Sequence, residues 1–186
     1  MNPHLHELPP FGGVIRQLRP SDFDRFRAHL LRLGAPARRD RFNGAANDHF
    51  LVDYAHRCFS TGATVVGYIV DGEVRGAAEL HERPGLPLPT GEIAFSVEEQ
   101  MQNRGLGGML FRRILAHARA LGYERLLVTT HPGNLAMRRL AQKFDARLTF
   151  EQGETLGLIE RPPASAREPW ERPPETRAGR AGTGVR

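Results

Sequence analysis

Residues 92–110 read EIAFSVEEQMQNRGLGGML, and this stretch decides the fold of the chain. Its first part, up to Val97, has the β-branched and aromatic residues that are typical of a strand. After a short turn, residues 102–121 carry an apolar residue every three or four positions, and that period predicts a helix. Three glycines stand where this helix begins: Gly105, Gly107 and Gly108. The stretch therefore predicts a strand that leads through a glycine-rich turn into a helix.

The start of this helix predicts an anion-binding site. The first N–H groups of a helix have no partner within it, and the aligned peptide dipoles place partial positive charge there. Glycines leave these groups open to a phosphate, and Arg104 can add charge-assisted hydrogen bonds. Two well-known phosphate motifs do not fit, because no Lys-Ser or Lys-Thr follows the glycines and Leu110 replaces the last glycine of the dinucleotide fingerprint. The pattern predicts a pyrophosphate site of another kind, with a tight turn or close helix packing as the alternative.

The residues upstream of this stretch predict a strand followed by helices. Residues 14–18 are the first periodic segment and predict a short strand. Residues 22–33 form a helical pattern that begins next to a capping signature at Ser21. One or two further short helices are predicted between residues 37 and 59, with a break near Asn43.

A β-hairpin is predicted after these helices. Residues 64–70 and 73–81 are β-rich runs, and the Asp-Gly pair between them is the strongest short signal for a hairpin turn. After a proline-rich loop at residues 84–89, residues 91–97 add the third strand of an antiparallel meander.

The residues after the glycine-rich turn predict a parallel crossover. Strand and helix patterns alternate there, in the order strand 125–130, helix 135–144 and strands 146–150 and 156–160. Because a strand, a helix and a strand follow one another, the helix at the glycines should connect two parallel strands of one sheet. The fold class is therefore α/β, with a mixed sheet.

Length and composition predict one domain with a separate tail. A chain of 186 residues can bury one sizeable core, and we assign residues 1–160 to a single domain. Residues 161–186 are rich in proline, arginine, alanine and glycine, and we predict that they form a disordered tail. The tail holds six arginines and three glutamates, so most of the net charge of +5 lies outside the domain. We therefore predict that nucleic acid is not a partner.

The sequence also bounds the location and the kind of site. No apolar stretch is as long as a membrane helix requires, and residues 1–10 lack the pattern of a secretory signal, so we predict a cytoplasmic protein without membrane contact. The single cysteine, Cys58, excludes an intramolecular disulfide and a cysteine-rich metal site. We predict no metal and interpret Cys58 as an inert, partly buried thiol in a helix.

The segment Gln102-Asn103-Arg104-Gly105-Leu106-Gly107 fits the motif Gln/Arg-x-x-Gly-x-Gly/Ala, and with it the chain resembles the GNAT superfamily of N-acetyltransferases. The order of predicted elements between residues 14 and 160 is also similar to that family's mixed, mostly antiparallel sheet with helices on both faces. A second segment, residues 134–146, resembles the family helix that begins with Asn and ends in a Leu-Gly-Phe-like sequence. The resemblance covers nearly the whole predicted domain.

The resemblance implies acetyl-coenzyme A (acetyl-CoA) as the cofactor. In the family, the glycine motif wraps the pyrophosphate, and the preceding strand pairs with the pantetheine arm. The cofactor-binding residues implied in this way are Phe95, Ser96, Val97, Gln102, Asn103, Arg104, Gly105, Leu106, Gly107, Gly108 and Asn134. Asn134 would contact the pantetheine side, and a role as helix cap is an equal alternative.

One departure from the family pattern concerns proton transfer. Many members carry a tyrosine seven residues after this Asn to protonate the leaving thiolate, whereas the chain has Ala141. The bacterial protein-lysine acetyltransferases of the Pat type also lack this tyrosine, and their sequence through the glycine turn resembles this one. The spacing of Glu92 resembles that of a glutamate in this subgroup. We predict that Glu92 is the general base, which an amine with a pKa of about 10.4 requires near neutral pH.

Other groups are secondary candidates for the base. Three carboxylates fall in this class, and we interpret them mainly as surface charges: Glu79, Glu98 and Glu99. Glu92 itself has the alternative of a solvated carboxylate at a strand end. His81 and His131 can accept a proton, although histidines at such positions are mostly ordinary strand or loop residues. No nucleophile is identified, because Cys58 has no partner recognisable in the sequence.

We therefore expect an N-acetyltransferase in which a primary amine attacks the thioester directly, in a ternary complex and without an acyl-enzyme. A backbone N–H near residues 95–97 is expected to stabilise the oxyanion. The leading acceptor is a protein lysine, and residues 38–58 are expected to line the acceptor cleft. The sequence leaves two alternative functions open: transfer to a small amine, and a coenzyme A-binding sensor without catalysis. It also leaves open whether the chain forms a homodimer.

Overall fold

The computed structural model describes residues 12–151 and 153–160, which form a seven-stranded sheet and five α-helices. The strands are β1 (Val14–Gln17), β2 (Thr64–Val70), β3 (Glu73–Glu82), β4 (Thr90–Val97), β5 (Arg125–Thr130), β6 (Arg147–Glu151) and β7 (Glu154–Glu160). The helices are α1 (Phe23–Arg32), α2 (Ala35–Phe42), α3 (Asp48–Ser60), α4 (Leu106–Ala120) and α5 (Leu135–Lys143). The tail predicted at residues 161–186 lies outside the described residues.

The sheet is mixed and mostly antiparallel, as predicted. Its strand order is β1-β2-β3-β4-β5-β7-β6, and within the described residues β4 and β5 are the one parallel pair. Helix α4 makes the crossover between these two strands, which confirms the parallel connection. The predicted hairpin joins β2 to β3 through Asp71 and Gly72, whose φ angles of 52° and 76° suit a tight turn of type I′.

Helices cover both faces of the sheet, and each face has its own hydrophobic core. Leu110 and Ile114 of α4 are fully buried in the first core, against β2, β3 and β4. Leu30 of α1 and Leu51 of α3 are fully buried in the second core, on the opposite face. Burial of each such side chain stabilises the fold by about 1.5–3 kcal/mol. Because successive residues of a strand point to opposite faces, Ile93, Phe95 and Val97 of β4 pack in the first core, and the residues between them point to the other face.

The helix after the glycines starts four residues later than predicted. A 3-10 turn occupies Glu99–Met101, and α4 begins at Leu106 rather than at residue 102. Asn103 and Gly105 have φ angles of 58° and 77°, in the left-handed region, which a continuous right-handed helix does not allow. Residues 102–108, named the glycine loop below, therefore combine an irregular turn with the first residues of α4.

A smaller difference concerns the start of α1. The carboxylate of Asp22, rather than Ser21, organises this turn, because it accepts hydrogen bonds from the Arg19 N–H at 3.0 Å and from Arg16 Nη1 at 2.7 Å. None of the helices within residues 12–151 and 153–160 combines the length and the apolar character that a membrane-spanning helix needs.

Candidate active site

The start of α4 presents backbone amides that have no partner inside the helix. The first helical hydrogen bond runs from the Met109 N–H to the Gly105 carbonyl at 3.2 Å, so the amides of residues 106–108 precede it. A Cβ added at Gly107 would lie 3.3 Å from Leu140 Cδ2. Close packing of α4 on α5 therefore explains Gly107, and the left-handed turn explains Gly105. Neither close packing nor a left-handed turn explains Gly108, because an added Cβ there would meet nothing within 4 Å.

The glycine loop is anchored to the end of β4. Gln102 Nε2 donates a hydrogen bond to the Val97 carbonyl at 3.0 Å. Asn103 and Arg104 are exposed, whereas the Leu106 side chain is 1% exposed and packs in the first core. Arg104 is thus the charged side chain of the loop at the positive end of α4, and Leu106 can take part in binding only through its backbone.

Strands β4 and β5 diverge after a short region of pairing. Their parallel register ends at the pair Glu92 and Leu127. β4 continues to Val97 along β3, and β5 continues to Thr130 along β7, so residues 93–97 and 128–130 are not paired with each other. Two strand edges that face such a gap offer backbone donors and acceptors to an extended chain that carries amides. The gap is closed at Glu92 and leads toward the glycine loop, because β4 runs into that loop.

The Phe95 and Ser96 side chains, both predicted to bind the cofactor, point to opposite faces of the sheet and have partners there. The Phe95 ring stacks on Phe111 at a centroid distance of 4.8 Å, and Phe111 stacks on Phe144 at 4.2 Å. This stack joins β4, α4 and the end of α5. On the other face, Ser96 Oγ forms a hydrogen bond with His29 Nε2 at 2.9 Å. A contribution of Phe95 or Ser96 to the gap therefore has to come from the backbone.

Asn134 and Ala141 belong to α5 and the turn before it. Asn134 Oδ1 accepts a hydrogen bond from the Met137 N–H at 2.9 Å, so Asn134 caps the helix. Ala141 is 1% exposed and packs in the first core. Its methyl group has no proton to donate, so protonation of a leaving thiolate cannot come from this position.

Glu92 stands where β4 and β5 begin to diverge. It is the last β4 residue that pairs with β5, and it lies opposite His81 of β3. Its side chain is 29% exposed, and Oε2 lies 3.3 Å from Arg83 Nη1. Such a partly exposed ion pair contributes only about 0–1 kcal/mol, so another cation can compete with Arg83 for the carboxylate. Glu92 is therefore an accessible carboxylate at the closed end of the gap.

The prediction of a surface charge at Glu79 was wrong, because this residue is the centre of a buried cluster. Its side chain is 0% exposed, and Oε2 lies 2.6 Å from Arg41 Nη2 and 3.2 Å from His81 Nε2. The Tyr54 hydroxyl donates to the same oxygen, and Cys58 Sγ lies 3.8 Å from it. These five residues are named the Glu79 cluster below. Three of them come from α2 and α3, far from Glu79 in the sequence, so the strand pattern alone did not reveal them.

The Glu79 carboxylate stays ionised in spite of its burial. Burial raises the pKa of this carboxyl group, but the Arg41 charge and the hydrogen bonds from His81 and Tyr54 outweigh it and lower the pKa to about 2. Burial and the nearby carboxylate raise the pKa of Tyr54 and of the Cys58 thiol. Cys58, Glu79 and His81 also place three potential metal ligands within 4.8 Å of one another. The Arg41 guanidinium, however, already occupies the position of a cation at Glu79.

A second buried cluster lies at the far end of β4 and corrects the prediction of a surface charge at Glu98. This side chain is 5% exposed, and Oε1 lies 3.0 Å from His29 Nδ1. The carboxylate also pairs with Arg32 at 3.0 Å and with Arg75 at 2.9 Å. The second ring nitrogen of His29 bonds to Ser96, so α1 is tied to two positions at the end of β4. This Glu98 cluster fixes the strand end from which the glycine loop starts.

The two buried carboxylates should make the fold sensitive to acid. Burial raises the pKa of Glu98, but hydrogen bonds from His29 and Arg75 and the Arg32 charge lower it to about 2, as in the case of Glu79. An unfolded glutamate has a pKa of about 4.3, so each carboxylate contributes stability that is complete above that value and is lost as the pH falls toward 2. In urea titrations we expect the free energy of unfolding to fall by on the order of a few kcal/mol between about pH 5 and about pH 3.

The variant Glu98→Gln separates the protonation of this buried carboxylate from a general loss of stability in acid. It is expected to be less stable than the wild type at neutral pH, because the arginines lose their ionised partner. Since it also lacks one of the titrating groups, its stability should fall less steeply over the acid range. Equal slopes in the two proteins would contradict the role assigned to Glu98.

Of the two histidines predicted as alternative bases, His81 lies next to Glu92 and His131 belongs to a separate turn. His131 Nδ1 accepts a hydrogen bond from the Gly133 N–H at 3.1 Å, so this ring supports the turn before α5. Glu99, the last secondary candidate, is exposed, as predicted. His81 is 28% exposed and is the cross-strand partner of Glu92. Tertiary structure therefore selects His81 from the secondary candidates.

Five partners of these buried carboxylates are not recognisable as such in the sequence: His29, Arg32, Arg41, Tyr54 and Arg75. One local signal was available for Glu79, because a glutamate in the middle of the otherwise apolar residues 77–80 is unusual in a central strand. A charge at such a position needs a buried partner. The sequence does not show which of the many arginines supplies it.

The Acetyltransferase (GNAT) family model matches residues 29–146, which is more than half of the chain. The chain belongs to the GNAT acetyltransferase family. It is an acetyl-CoA-dependent N-acetyltransferase, and the resemblance carried by the glycine motif is confirmed. The matched residues extend from α1 to the end of α5 and include both clusters and the glycine loop.

Solved structures share the fold of this GNAT protein. The crystal structure of the GNAT domain of PAT from S. lividans has a TM-score of 0.71 at 20% sequence identity, over 80% of this chain and 90% of that one. An N-acetyltransferase from Staphylococcus aureus Mu50 has a TM-score of 0.60 at 18% identity, over 80% and 98% of the two chains. The protein yncA from Salmonella typhimurium, solved with its cofactor acetyl-CoA, has a TM-score of 0.60 at 18% identity, over 84% and 98%. At these identities the likeness establishes the fold.

Proposed function

We propose that this acetyltransferase transfers the acetyl group of acetyl-CoA to the side-chain amine of a protein lysine, with Glu92 as the general base. The observation that carries the proposal is the position of Glu92 at the last β4–β5 pair, at the closed end of a gap that leads to the glycine loop. When acetyl-CoA has its diphosphate at the glycine loop and its pantetheine arm in the gap, its acetyl thioester lies beside Glu92.

The elements of this site fit acetyl-CoA, which supplies an activated acetyl thioester when it is bound. Amides at the start of α4 suit its diphosphate, and the unpaired edges of β4 and β5 suit the amides of its pantetheine arm. Gln102, Asn103 and Gly105 give the loop its shape, and Asn134 caps the neighbouring helix. Arg104 is proposed to bind the diphosphate with its side chain. The remaining predicted residues are proposed to bind acetyl-CoA through their backbone: Phe95, Ser96, Val97, Leu106, Gly107 and Gly108.

A base is needed because a lysine amine is protonated near neutral pH. With a pKa of about 10.4, only about one part in a thousand or less is neutral. Because Glu92 is 29% exposed and its ion pair with Arg83 is weak, an incoming ammonium group can replace Arg83 and release its proton to the carboxylate, directly or through water. Backbone N–H groups on the unpaired edge of β4 are the proposed donors to the oxyanion.

Three observations support a protein lysine as the acceptor. The sequence through the glycine loop resembles Pat-type protein-lysine acetyltransferases, and the fold is similar to that of the GNAT domain of S. lividans PAT. The partial exposure of Glu92 allows it to be reached by a side chain that extends from another protein. Helix α2 packs against β4 and β5, so residues 38–58, which include its end and all but the last residues of α3, are placed near this approach.

Calorimetry with acetyl-CoA, followed by thiol-release assays, tests the proposed function. We expect the protein to bind acetyl-CoA and to release free thiol faster with lysine-containing proteins than with polyamines, amino acids or amine-containing antibiotics. Thiol release with small amines alone would replace the protein lysine by a small acceptor. Binding without thiol release from any amine would mean that the chain acts as a sensor.

The variant Arg104→Ala tests the glycine loop as the diphosphate site. The loss of a charge-assisted hydrogen bond costs about 1.5–3 kcal/mol, so we expect the Kd for acetyl-CoA to rise by about tenfold to a hundredfold. Arg112→Ala is the matched control, because it removes the same charge from an exposed position about two turns further along α4. If both variants changed the Kd equally, the diphosphate would have to bind elsewhere.

A further inference from the structure

The proposed reaction has to remove two protons from the acceptor nitrogen. The ammonium group of the acceptor lysine loses one proton before its nitrogen can attack the thioester. The nitrogen loses a second proton as the new C–N bond becomes an amide. The C–S bond breaks with its electron pair on sulfur, which takes up one proton, and the other proton goes to solvent. A single carboxylate that has accepted the first proton must release it before it can accept the second. With Ala141 on α5, that position offers no hydroxyl group for either transfer.

His81 is the titratable side chain that the sheet places opposite Glu92. The two residues are direct partners across β3 and β4, so their Cβ atoms lie about 4.5–5.5 Å apart on one face of the sheet. His81 is 28% exposed, and Glu79, two residues earlier on β3 and on the same face, is 0% exposed. His81 therefore contacts a buried carboxylate and is the cross-strand neighbour of the proposed base, whose carboxylate is accessible.

The Glu79 cluster determines which ring nitrogen of His81 carries hydrogen. Nε2 lies 3.2 Å from Glu79 Oε2 and 3.1 Å from the Tyr54 hydroxyl oxygen. The ionised carboxylate can only accept hydrogen bonds, and the Tyr54 hydroxyl already donates its hydrogen to it. The hydrogen between the ring and these oxygens must therefore come from Nε2. In the neutral ring, Nδ1 then has the lone pair and is the basic atom.

We propose that His81 is the proton relay of this acetyl transfer: its Nδ1 atom takes the first proton from Glu92, so that Glu92 can accept the second. This inference rests on the proposed function of Glu92. Glu79 is a positioning residue, because it holds the His81 tautomer and its negative charge stabilises the imidazolium that forms. A buried aspartate has the same relation to the histidine of serine hydrolases. The partly exposed ring passes its proton on to solvent.

Kinetics of His81→Ala and His81→Gln test the relay. For both variants we expect kcat to fall by about tenfold to a hundredfold, while the Kd for acetyl-CoA measured by calorimetry stays within about twofold. His81→Gln keeps an N–H group for Glu79, so a loss shared by both variants does not come from an unpaired buried carboxylate. Added imidazole should restore part of kcat in His81→Ala. It should leave the wild type and the control His117→Ala, on α4, unchanged.

Nitrogen NMR of histidine-labelled protein gives a readout that does not depend on activity. We expect the neutral His81 ring of the wild type to carry hydrogen on Nε2, with the resonances assigned by their loss in His81→Gln. Hydrogen on Nδ1 instead, unchanged kcat in both variants, or a loss of kcat that imidazole does not restore would each overturn the relay. A failure of the proposed function looks different, because the wild type then releases no thiol or Glu92→Gln keeps full turnover.

Discussion

Replacing Glu92 by glutamine is expected to lower kcat about a hundredfold and to leave the KM for acetyl-CoA within about twofold. The glutamine amide keeps the size of the side chain and can form hydrogen bonds, but it does not accept a proton from an ammonium group. The side chain is 29% exposed and lies outside both cores, so the fold should tolerate the change. Steady-state thiol release with a saturating amine measures the effect.

The pH dependence of this variant identifies the missing step. Without a base, only amine that is already neutral can react, and its fraction grows tenfold per pH unit below a pKa of about 10.4. The kcat/KM of Glu92→Gln for the amine should therefore keep rising with pH beyond the point where that of the wild type levels off.

The control is Glu82→Gln, the same chemical change on β3. Glu82 is exposed and pairs with Gly91, one residue away from Glu92, so its side chain points to the other face of the sheet. This variant should keep the turnover of the wild type. Wild-type turnover in Glu92→Gln would remove Glu92 from the role of base.

Replacing Arg41 by methionine is expected to lower the free energy of unfolding by about 3–5 kcal/mol. The Arg41 side chain is 10% exposed, and its Nη2 lies 2.6 Å from Oε2 of Glu79, whose side chain is 0% exposed. Methionine removes the charge and leaves the carboxylate buried without its cation. The expected loss reflects the cost of this uncompensated charge rather than the net strength of the ion pair. Urea denaturation of the two proteins measures it.

The contribution of Glu79 to stability should depend on pH with opposite sign in Arg41→Met and in the wild type. Without Arg41, burial favours the protonated form of Glu79, so its pKa in the folded protein should rise above that in the unfolded chain. A carboxyl group with a raised pKa contributes its stability at low pH and loses it as the pH rises through the folded pKa. The deficit of Arg41→Met relative to the wild type should therefore narrow as the pH falls from about 7 to about 5.

Two further variants identify the cause. Arg41→Met combined with Glu79→Gln removes the buried charge as well, so much of the lost stability should return at neutral pH. Arg39→Met changes an exposed arginine of the same helix and should alter stability by no more than about 0.5 kcal/mol. A deficit that did not depend on pH, and that the second substitution did not reduce, would contradict the assignment of Arg41 as the partner of Glu79.

Local patterns were sufficient to predict the elements of this fold. The Asp-Gly pair before Glu73 predicted the hairpin, because few residue pairs adopt the two positive φ angles that the turn requires. The helical period after the glycine loop predicted α4, although not its first residue. Asn103 was assigned to the helix because the apolar period extends past it, whereas its φ of 58° lies outside any right-handed helix.

The same local patterns predicted the wrong environment for two carboxylates. Glu98 follows the end of β4 and has the appearance of a solvated charge in the sequence. Its burial depends on α1, which brings His29 and Arg32 to it from about seventy residues earlier in the chain. A strand pattern describes which face a residue points to, but not what another element places above that face.

The sequence by itself determined the family, the mixed sheet with its crossover helix, the position of the glycine loop and the choice of Glu92 as the proposed base. These depend on local periodicity and on a contiguous motif, which the order of residues contains directly. Only the tertiary structure decided that β4 and β5 diverge after Glu92, that His81 stands opposite it, and that Glu79 is buried with Arg41. Each of these follows from strand register or helix docking between distant segments, and their energies arise only when the chain has folded.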